Sequence, residues 1–431
     1  MHYVFMDNFR GFTETLLPLR KITFLVGENS TGKSSFLKIL YMMCSPRFWF
    51  SPEYSFQEEA ELGSFADIVS AWSSDKSFFR VGILSSRKDK KNVFSCAFSV
   101  YTFRNRDGIP YVSRSLHFAN GRLTKLIFQR KTTEYKTIPE IKTFKEQEDI
   151  TIFFLNAIRK DIQDTKGFKL FPKNVPPNPP LPVALAILRS IERGKSIRSL
   201  EFAHEIPFSL DLTWIAPIRT KPQRFYDGTK KSFSPEGDHT PFVLRRTLRM
   251  KTRSTEFAKK IKTFGEASRL FETILPHSFG KKPQSPFEIL VKFAGAELNI
   301  SNVGYGVSQV LPLLVEFFSC EKKNCTFAVQ QPEVHLHPRA QAALGDVIAQ
   351  LAAEEDHGFI LETHSDYLID RCRLNLAKHA NASAQVIFFQ RTRSGNTATV
   401  LKIDRDGKYP PNQPPEFRSF FIKEEMNLLE V

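Results

Sequence analysis

One segment near the start of the chain restricts its fold more than any other: Gly27-Glu-Asn-Ser-Thr-Gly-Lys33-Ser34. It matches the pattern G-x-x-x-x-G-K-[ST] at every fixed position. Residues 21–27 before it predict a short buried strand, and apolar residues at helical spacing follow it over 33–43. A strand, loop and helix of this kind form a phosphate-binding loop, whereas a chance glycine-rich turn accounts for neither flank.

The pattern assigns distinct roles within this loop. Lys33 is expected to reach the β- and γ-phosphates of a nucleotide, and the Ser34 hydroxyl is expected to ligate Mg²⁺. A nucleotide and Mg²⁺ are therefore the predicted ligands of the loop. The residues expected to line the nucleotide are Gly27, Asn29, Ser30, Thr31, Gly32, Lys33, Ser34 and Ser35.

Hydrophobic periodicity along the rest of the chain indicates an α/β protein. Short apolar runs at 325–330 and 358–362 alternate with helical patterns at 339–351 and 367–376, which predicts a parallel sheet. A stretch from about 78 to 130 predicts an antiparallel β-meander. Three segments are expected: an N-terminal lobe at 1–137, a mainly helical insertion with a proline-rich connector at 138–210, and a C-terminal lobe at 211–431.

Composition narrows the environment and the partners. Lys and Arg total 61 against 46 Asp and Glu, and the resulting net charge of +15 suggests a polyanionic partner or simply a basic surface. Five cysteines without C-x-x-C spacing predict neither a disulfide framework nor a zinc ribbon, which favours a reducing, cytoplasmic compartment. No run of about 18 apolar residues is present, so no membrane contact is expected.

Four further segments accompany the phosphate loop in order along the chain. They read Phe-Arg-Gly-Phe at 9–12, Asn-Val-Gly-Tyr-Gly-Val-Ser-Gln-Val-Leu-Pro at 302–312, Gln-Gln-Pro-Glu-Val-His-Leu-His-Pro at 330–338, and Glu-Thr-His-Ser-Asp at 362–366. With the loop, they resemble the head of ABC/SMC-class P-loop ATPases, specifically the OLD-like and RecF-like branch. The resemblance implies an ABC/SMC-type head, in which a mostly parallel core sheet is joined by an antiparallel β-subdomain.

The same resemblance implies a homodimer that sandwiches ATP between two heads. One head supplies the phosphate loop and the other a signature motif, here Gly304, Gly306, Ser308 and Gln309. The glycines would permit close backbone approach, and Ser308 would cap the following helix. His364 resembles the switch histidine that touches the γ-phosphate, and Arg219 falls in a family-like motif expected near the nucleotide.

The acidic motif departs from the family pattern. The strand usually ends in an acid followed by Glu-Pro or Gln-Pro, but this chain reads Gln330-Gln331-Pro332-Glu333. The neutral amide of Gln330 is a doubtful Mg²⁺ ligand and a poor general base. Glu333, the nearest carboxylate, is a candidate for the base or the metal ligand, or else it caps the following turn. ATP binding with slow or stimulated hydrolysis is the resulting hypothesis.

The segment at 215–285 is rich in cations, which suit a nucleic-acid backbone, a solvated helix face or an acidic subunit. No base-reading motif is recognisable, so the sequence does not decide between these partners. Nor is a metal-binding acidic cluster for a nuclease evident after Asp366. The resemblance therefore implies an ATPase subunit that controls a separate effector, such as a nuclease, in bacterial antiphage systems such as PARIS or Septu. The alternatives are a RecF-like ATPase of recombination or repair that binds DNA, and a scaffold that binds ATP without turnover. An oligomer larger than a dimer is a further expectation.

Overall fold

A computed structural model describes residues 1–50, 56, 62–173, 175, 178–193, 210–228, 231–250, 254–378 and 383–421. The chain forms two compact units that alternate along the sequence. Unit 1 comprises 1–19, 28–210 and 389–399, and unit 2 comprises 20–27, 211–388 and 400–431. The predicted division into segments at 1–137, 138–210 and 211–431 stays a prediction.

The elements of the first half of the chain are β1 (His2–Asp7), β2 (Thr15–Leu19), β3 (Ile22–Gly27), α1 (Lys33–Cys44), α2 (Pro46–Phe50), α3 (Phe65–Ile68), β4 (Phe78–Lys88), β5 (Phe94–Arg106), β6 (Ile109–Ala119), β7 (Arg122–Phe128), β8 (Thr133–Pro139), α4 (Gln147–Gln163), β9 (Lys169–Leu170) and α5 (Leu181–Glu192). Those of the second half are β10 (Leu212–Ile215), α6 (Thr240–Arg249), α7 (Ser254–Ser268), β11 (Thr273–Ser278), β12 (Phe287–Phe293), β13 (Ala296–Asn299), a 3₁₀ turn (Ile300–Asn302), α8 (Tyr305–Ser319), β14 (Thr326–Gln330), α9 (Pro338–Glu354), β15 (Gly358–Glu362), α10 (Asp366–Leu376), β16 (Ala384–Thr392) and β17 (Gly395–Ile403).

Unit 1 is built on an antiparallel sheet with the strand order β2-β1-β4-β5-β6-β7-β8-β9. The predicted meander is confirmed, since β4 to β7 pair consecutively. Helix α4 covers this sheet because its apolar residues recur at helical spacing and are buried. Phe154 lies at the centre, with its ring centroid 5.1 Å from that of Phe98 and 5.4 Å from that of Phe5.

The predicted insertion contributes directly to unit 1. Helix α4 packs in the core of that unit, and β9 extends its sheet by pairing with β8. Helix α5 ends at Glu192, and the positions from 194 to 209 lie outside the described residues. The apolar face of α4 explains the placement, since an amphipathic helix must bury that face against another element.

Unit 2 contains a sheet with the strand order β10-β14-β15-β3-β16-β17, of which β16 and β17 belong in part to each unit. Strands β10, β14, β15 and β3 pair in parallel, and β14 is buried along its whole length. Near-continuous apolar runs are typical of parallel strands covered on both faces. The predicted fold class is confirmed: α/β, with a mostly parallel core sheet and an antiparallel β-subdomain.

Helices α8, α9 and α10 bury their apolar faces in the core of unit 2, and a smaller antiparallel sheet has the order β11-β12-β13. Although the cysteine spacing predicts no disulfide framework, Cys320, which follows α8, and Cys325, which precedes β14, form a disulfide. The described cysteines Cys44, Cys96 and Cys372 are free. Among the helices that the structure describes, none is long and apolar enough to cross a membrane.

Candidate nucleotide site

The phosphate loop connects the end of β3 at Gly27 to the start of α1 at Lys33, as the sequence predicts. Gly32 immediately precedes the helix with φ of +101°, in the left-handed region that favours glycine. A Cβ atom at this position would lie 2.5 Å from the ring of buried Phe12. Both backbone conformation and space therefore require glycine here.

Lys33 is buried, at 3% exposure, and its ammonium group points back into its own loop. The Nζ atom donates to the carbonyl oxygen of Glu28 at 2.6 Å, and the Thr31 hydroxyl donates to the same oxygen at 2.8 Å. Asn29 and Ser30 are exposed. A phosphate that took the place of this carbonyl would receive a hydrogen bond from a charged donor, which is the stronger kind.

The Phe-Arg-Gly-Phe segment supports the loop from within unit 1. The guanidinium of Arg10 donates to Ser35 Oγ at 3.2 Å and to the Leu62 carbonyl at 2.6 Å. Asn396 Nδ2 donates to the Arg10 carbonyl at 2.9 Å. The sequence alone does not indicate these contacts of Arg10 and Asn396, because they join positions far apart in the chain.

Glu333 lies in the loop after β14 and bridges to the segment that follows β15. Its Oε2 accepts from the Thr363 hydroxyl at 2.8 Å, and its Oε1 accepts from the backbone N–H of His364 at 2.8 Å. Glu333 is half-buried and His364 is exposed. Of the three roles open to Glu333, capping the following turn is not the one its side chain performs, since both of its oxygens accept from the segment after β15.

His364 follows β15 at the carboxyl end of the sheet, where the sequence predicted it. Its ring stacks on that of Phe420, with the centroids 6.3 Å apart and the planes at 29°. Ligands of open α/β sheets bind at the carboxyl ends of the strands. The structure therefore brings Glu333 and His364 together in unit 2 at the expected edge.

Gln330, in place of the usual acid, is the last residue of β14 and is buried. Its Oε1 accepts from the Trp214 indole N–H at 3.2 Å, and its Nε2 donates to Glu362 Oε2 at 2.8 Å. Glu362 ends β15 and is only 6% exposed. The sequence motif alone indicates no separate role for this buried carboxylate.

The signature segment begins helix α8, but not as predicted. Gly304 is the N-cap residue, and Ser308 lies within the helix, where its hydroxyl donates to the Tyr305 carbonyl at 2.9 Å. Ser308 therefore does not cap the helix, which begins earlier than expected. Ser308 and Gln309 are buried, whereas Gly304 and Tyr305 are exposed. The exposed part of the signature segment is therefore its start, at Gly304 and Tyr305.

Arg219 is buried among backbone carbonyls of unit 2. Its guanidinium donates to the carbonyls of Gln309 at 3.3 Å, Gln330 at 3.1 Å and Gln331 at 3.3 Å. Burial lowers the pKa of Arg219 to about 10, and the negative charge of Glu333 opposes this shift. The expected role near the nucleotide stays a prediction, and the observed role is to join the signature helix to the end of β14.

A family model described as an AAA ATPase domain matches residues 2–173 and 228–369. The chain belongs to the AAA ATPase domain family. No match was found among curated proteins.

Three solved SMC head structures are similar to this AAA ATPase. The SMC head bound to the C-terminal winged-helix domain of ScpA is 12% identical, with a TM-score of 0.43 and coverage of 94% of this chain and 98% of the other. The Smc head with an extended coiled coil bound to the C-terminal domain of ScpA from Pyrococcus furiosus is 12% identical, with a TM-score of 0.42 and coverage of 100% and 99%. The SMC head from Thermotoga maritima is 10% identical, with a TM-score of 0.39 and coverage of 92% and 97%.

The residues of this AAA ATPase fit the nucleotide and metal that such a domain uses. Among the described residues, no side chain caps α1 at its N-terminus and no acid lies in its first turn. The partial positive charge of the helix dipole at this end is therefore available to an anion such as a phosphate. Within the described ranges, no group of three or more His, Cys, Asp or Glu residues could hold a metal ion unaided. Mg²⁺ needs only one or two carboxylates when phosphates and water complete its shell. Glu333 and Glu362 of unit 2 are carboxylates of that kind.

The cation-rich segment of this AAA ATPase is not a uniform basic surface. Arg219 and Arg245 are buried, and the Arg245 guanidinium donates to the carbonyls of Ser285 and Gly228. Lys260 donates to Glu355 at 2.6 Å. Some of the segment's cations, Lys230, Lys251 and Arg253, lie outside the described residues. The positive charge counted from sequence therefore overstates what this segment offers to nucleic acid.

The two signature glycines allow a matched test of the local packing. A Cβ at Gly306 would lie 2.9 Å from the His335 backbone carbonyl, whereas a Cβ at Gly304 meets nothing within 4 Å. Gly306→Ala is expected to lower the free energy of unfolding by about 1–3 kcal/mol, because backbone must move. Gly304→Ser also adds a Cβ but keeps a favoured N-cap residue, and should change it by less than about 0.5 kcal/mol. Chemical denaturation measures both, and equal losses would contradict the packing.

Proposed function

We propose that this chain is an ATP-controlled switch that binds Mg²⁺ and ATP at its phosphate loop and dimerises around the nucleotide. The observation that carries the proposal is the phosphate loop itself. Buried Lys33 begins α1, which has no side-chain cap, and its ammonium group donates to a backbone carbonyl of the loop. Lys33 would bind the β- and γ-phosphates, and Ser34 would ligate Mg²⁺. Mg²⁺ supplies positive charge that neutralises the phosphates.

In the proposed hydrolysis step, Glu333 holds the attacking water and accepts its proton. The carboxylate is fixed by Thr363 and by the His364 backbone, so its orientation is set before any nucleotide binds. A carboxylate with two hydrogen-bond donors on its oxygens still has lone pairs for a water. His364 would contact the γ-phosphate through its exposed ring. With Gln330 in place of the usual acid, slow or stimulated turnover is proposed.

Dimerisation is proposed to use the exposed start of α8. Gly304 is the N-cap of a 15-residue helix, and no described side chain caps that helix. A helix N-terminus with free N–H groups attracts a phosphate, so a partner's γ-phosphate could bind there. Ser308 and Gln309 would support this surface from the interior rather than touch the nucleotide, because both are buried.

A charge variant at Gly304 tests the dimer. Its φ of −58° and ψ of 148° suit any residue, and Asp is a favoured N-cap, so Gly304→Asp should leave the monomer stable. Its carboxylate would repel a phosphate placed at α8. Light scattering should report a doubled mass for the wild type with Mg²⁺ and ATP, a monomer for Gly304→Asp, and a dimer for the neutral N-cap variant Gly304→Ser. If Gly304→Asp still dimerised with Mg²⁺ and ATP, the start of α8 would not be the surface that contacts the partner's ATP.

The switch is proposed to control a separate effector protein, such as a nuclease, in bacterial antiphage defence. Support for this step is the motif resemblance and the basic charge of the chain. A RecF-like role on DNA and a scaffold that never hydrolyses ATP are the rival functions. Stimulation of hydrolysis by duplex DNA at low salt would favour the first rival, and ATP retained through purification without turnover would favour the second.

A further inference from the structure

The buried triplet of Trp214, Gln330 and Glu362 has a fixed hydrogen-bond direction. An indole N–H is only a donor, so the Gln330 atom that faces Trp214 must be its carbonyl oxygen. The Gln330 amide nitrogen therefore faces Glu362 and donates to it at 2.8 Å. Trp214 thus orients Gln330, and Gln330 in turn orients one carboxylate oxygen of Glu362.

Strand register places Glu362 beside the strand that leads into the phosphate loop. Gln330 pairs with Glu362 across β14 and β15, and Glu362 pairs with Leu25 across β15 and β3. Leu25 lies two positions before Gly27, where the loop begins. Position 330 is one strand further away, because β15 lies between β14 and β3. The buried carboxylate at this sheet edge is therefore on the nearer strand.

We propose that Glu362 supplies the carboxylate for Mg²⁺ that Gln330 lacks, and that Gln330 and Trp214 act as positioning residues for it. This inference rests on the proposed function, the binding of Mg²⁺ and ATP. Gln330 is then needed to hold Glu362 in place, and its lack of charge does not prevent Mg²⁺ binding. Two carboxylates at the ends of β14 and β15 would face each other at hydrogen-bond distance and repel, whereas an amide donates to its neighbour.

Glu333 already has the role of the base in the proposed hydrolysis step. Thr363 and His364 donate to its two oxygens and orient them for the attacking water. The two acids therefore divide the work, with Glu333 as the base for water and Glu362 for Mg²⁺. This division gives a Mg²⁺ site with a single carboxylate, which is common where phosphates complete the shell.

The test measures ATP affinity by calorimetry, with Mg²⁺ and with EDTA, for the wild type and for Glu362→Gln. The substitution preserves shape and keeps an acceptor for the Gln330 amide, so melting temperature should change little. The ATP affinity of the wild type should be higher with Mg²⁺ than with EDTA. In Glu362→Gln the ratio of these two affinities should be smaller by about tenfold or more. Its affinity in EDTA should match the wild type. A purely structural role for Glu362 would lower both affinities alike and would overturn the inference.

Two further variants keep the inference testable if Glu362→Gln folds poorly. The double variant Gln330→Glu with Glu362→Gln returns the carboxylate to β14 and keeps both hydrogen bonds, with Trp214 and the new amide as donors. It should recover part of the Mg²⁺ dependence. Trp214→Phe keeps Glu362 but frees Gln330 to rotate, and should give a smaller loss. Unchanged Mg²⁺ dependence in Glu362→Gln or in Trp214→Phe would refute the inference, whereas a wild type that binds no ATP would refute the proposed function instead.

Discussion

Lys33→Ala should abolish measurable ATP binding under conditions in which the wild type is saturated. The substitution removes a buried ammonium group that is held at the loop by the Glu28 carbonyl. Hydrogen bonds to charged groups contribute about 1.5–3 kcal/mol each, so the loss of phosphate contacts should weaken binding by about a hundredfold or more. Fluorescence titration with a labelled ATP analogue measures this loss directly.

The matched control is Lys91→Ala, which removes the same charge from an exposed turn between β4 and β5. It should bind ATP as the wild type does. If both variants lost affinity equally, net charge rather than the phosphate loop would be responsible. If neither did, the nucleotide would bind elsewhere.

Glu333→Gln should slow hydrolysis by about 10²- to 10⁴-fold while ATP still binds, because general-base catalysis contributes factors of that size. The amide can keep both local contacts: its oxygen accepts from the His364 N–H, and its nitrogen donates to the Thr363 hydroxyl, which has lone pairs to accept. The variant therefore removes the base with little structural change. Steady-state release of phosphate, with ATP affinity measured alongside, gives the result.

Glu354→Gln, at an exposed position near the end of α9, is the control for loss of a carboxylate and should hydrolyse ATP normally. A Glu333→Gln enzyme that turned over at the wild-type rate would exclude Glu333 as the base. A fall in melting temperature without a selective fall in turnover would leave Glu333 with only the structural role of joining the loops after β14 and β15.

The phosphate loop could be predicted because all of its determinants are local. The glycine spacing, the strand before it and the helix after it lie within one short stretch, and the structure reproduces them at Gly27 and Lys33. The parallel sheet was also predictable, since strands buried on both faces are apolar throughout. The position of His364 directly after a strand could be predicted from the same apolar pattern, at 358–362.

Glu362 could not be found in this way, because its role depends on strand register. Its pairing with Gln330 joins residues from two strands separated by α9, and no periodic pattern encodes which residues of parallel strands face each other. A buried Gln at the end of a strand was the available signal, since a buried amide requires a partner. That reasoning would have pointed to a neighbouring strand end.

Ser308 and Arg219 show how packing changes the role of a residue. A Ser after two glycines suggests a helix cap, but the exposed, extended Gly304 begins α8 and leaves Ser308 inside the helix. Arg219 belongs to a cation-rich stretch, yet its guanidinium is enclosed by backbone carbonyls. Charge counted along a sequence does not distinguish such an interior arginine from one that faces a partner.

Steady-state hydrolysis of ATP by the wild-type protein, beside Lys33→Ala and Glu333→Gln, tests the central claim most directly. The account predicts that the wild type binds ATP tightly and turns it over well below the ~1–100 s⁻¹ of a typical kinase. Turnover should be lost in both variants, whereas ATP binding should be lost only in Lys33→Ala. Turnover within that range without any stimulant, or turnover that survives Lys33→Ala, would contradict an ATP-controlled switch built on this phosphate loop.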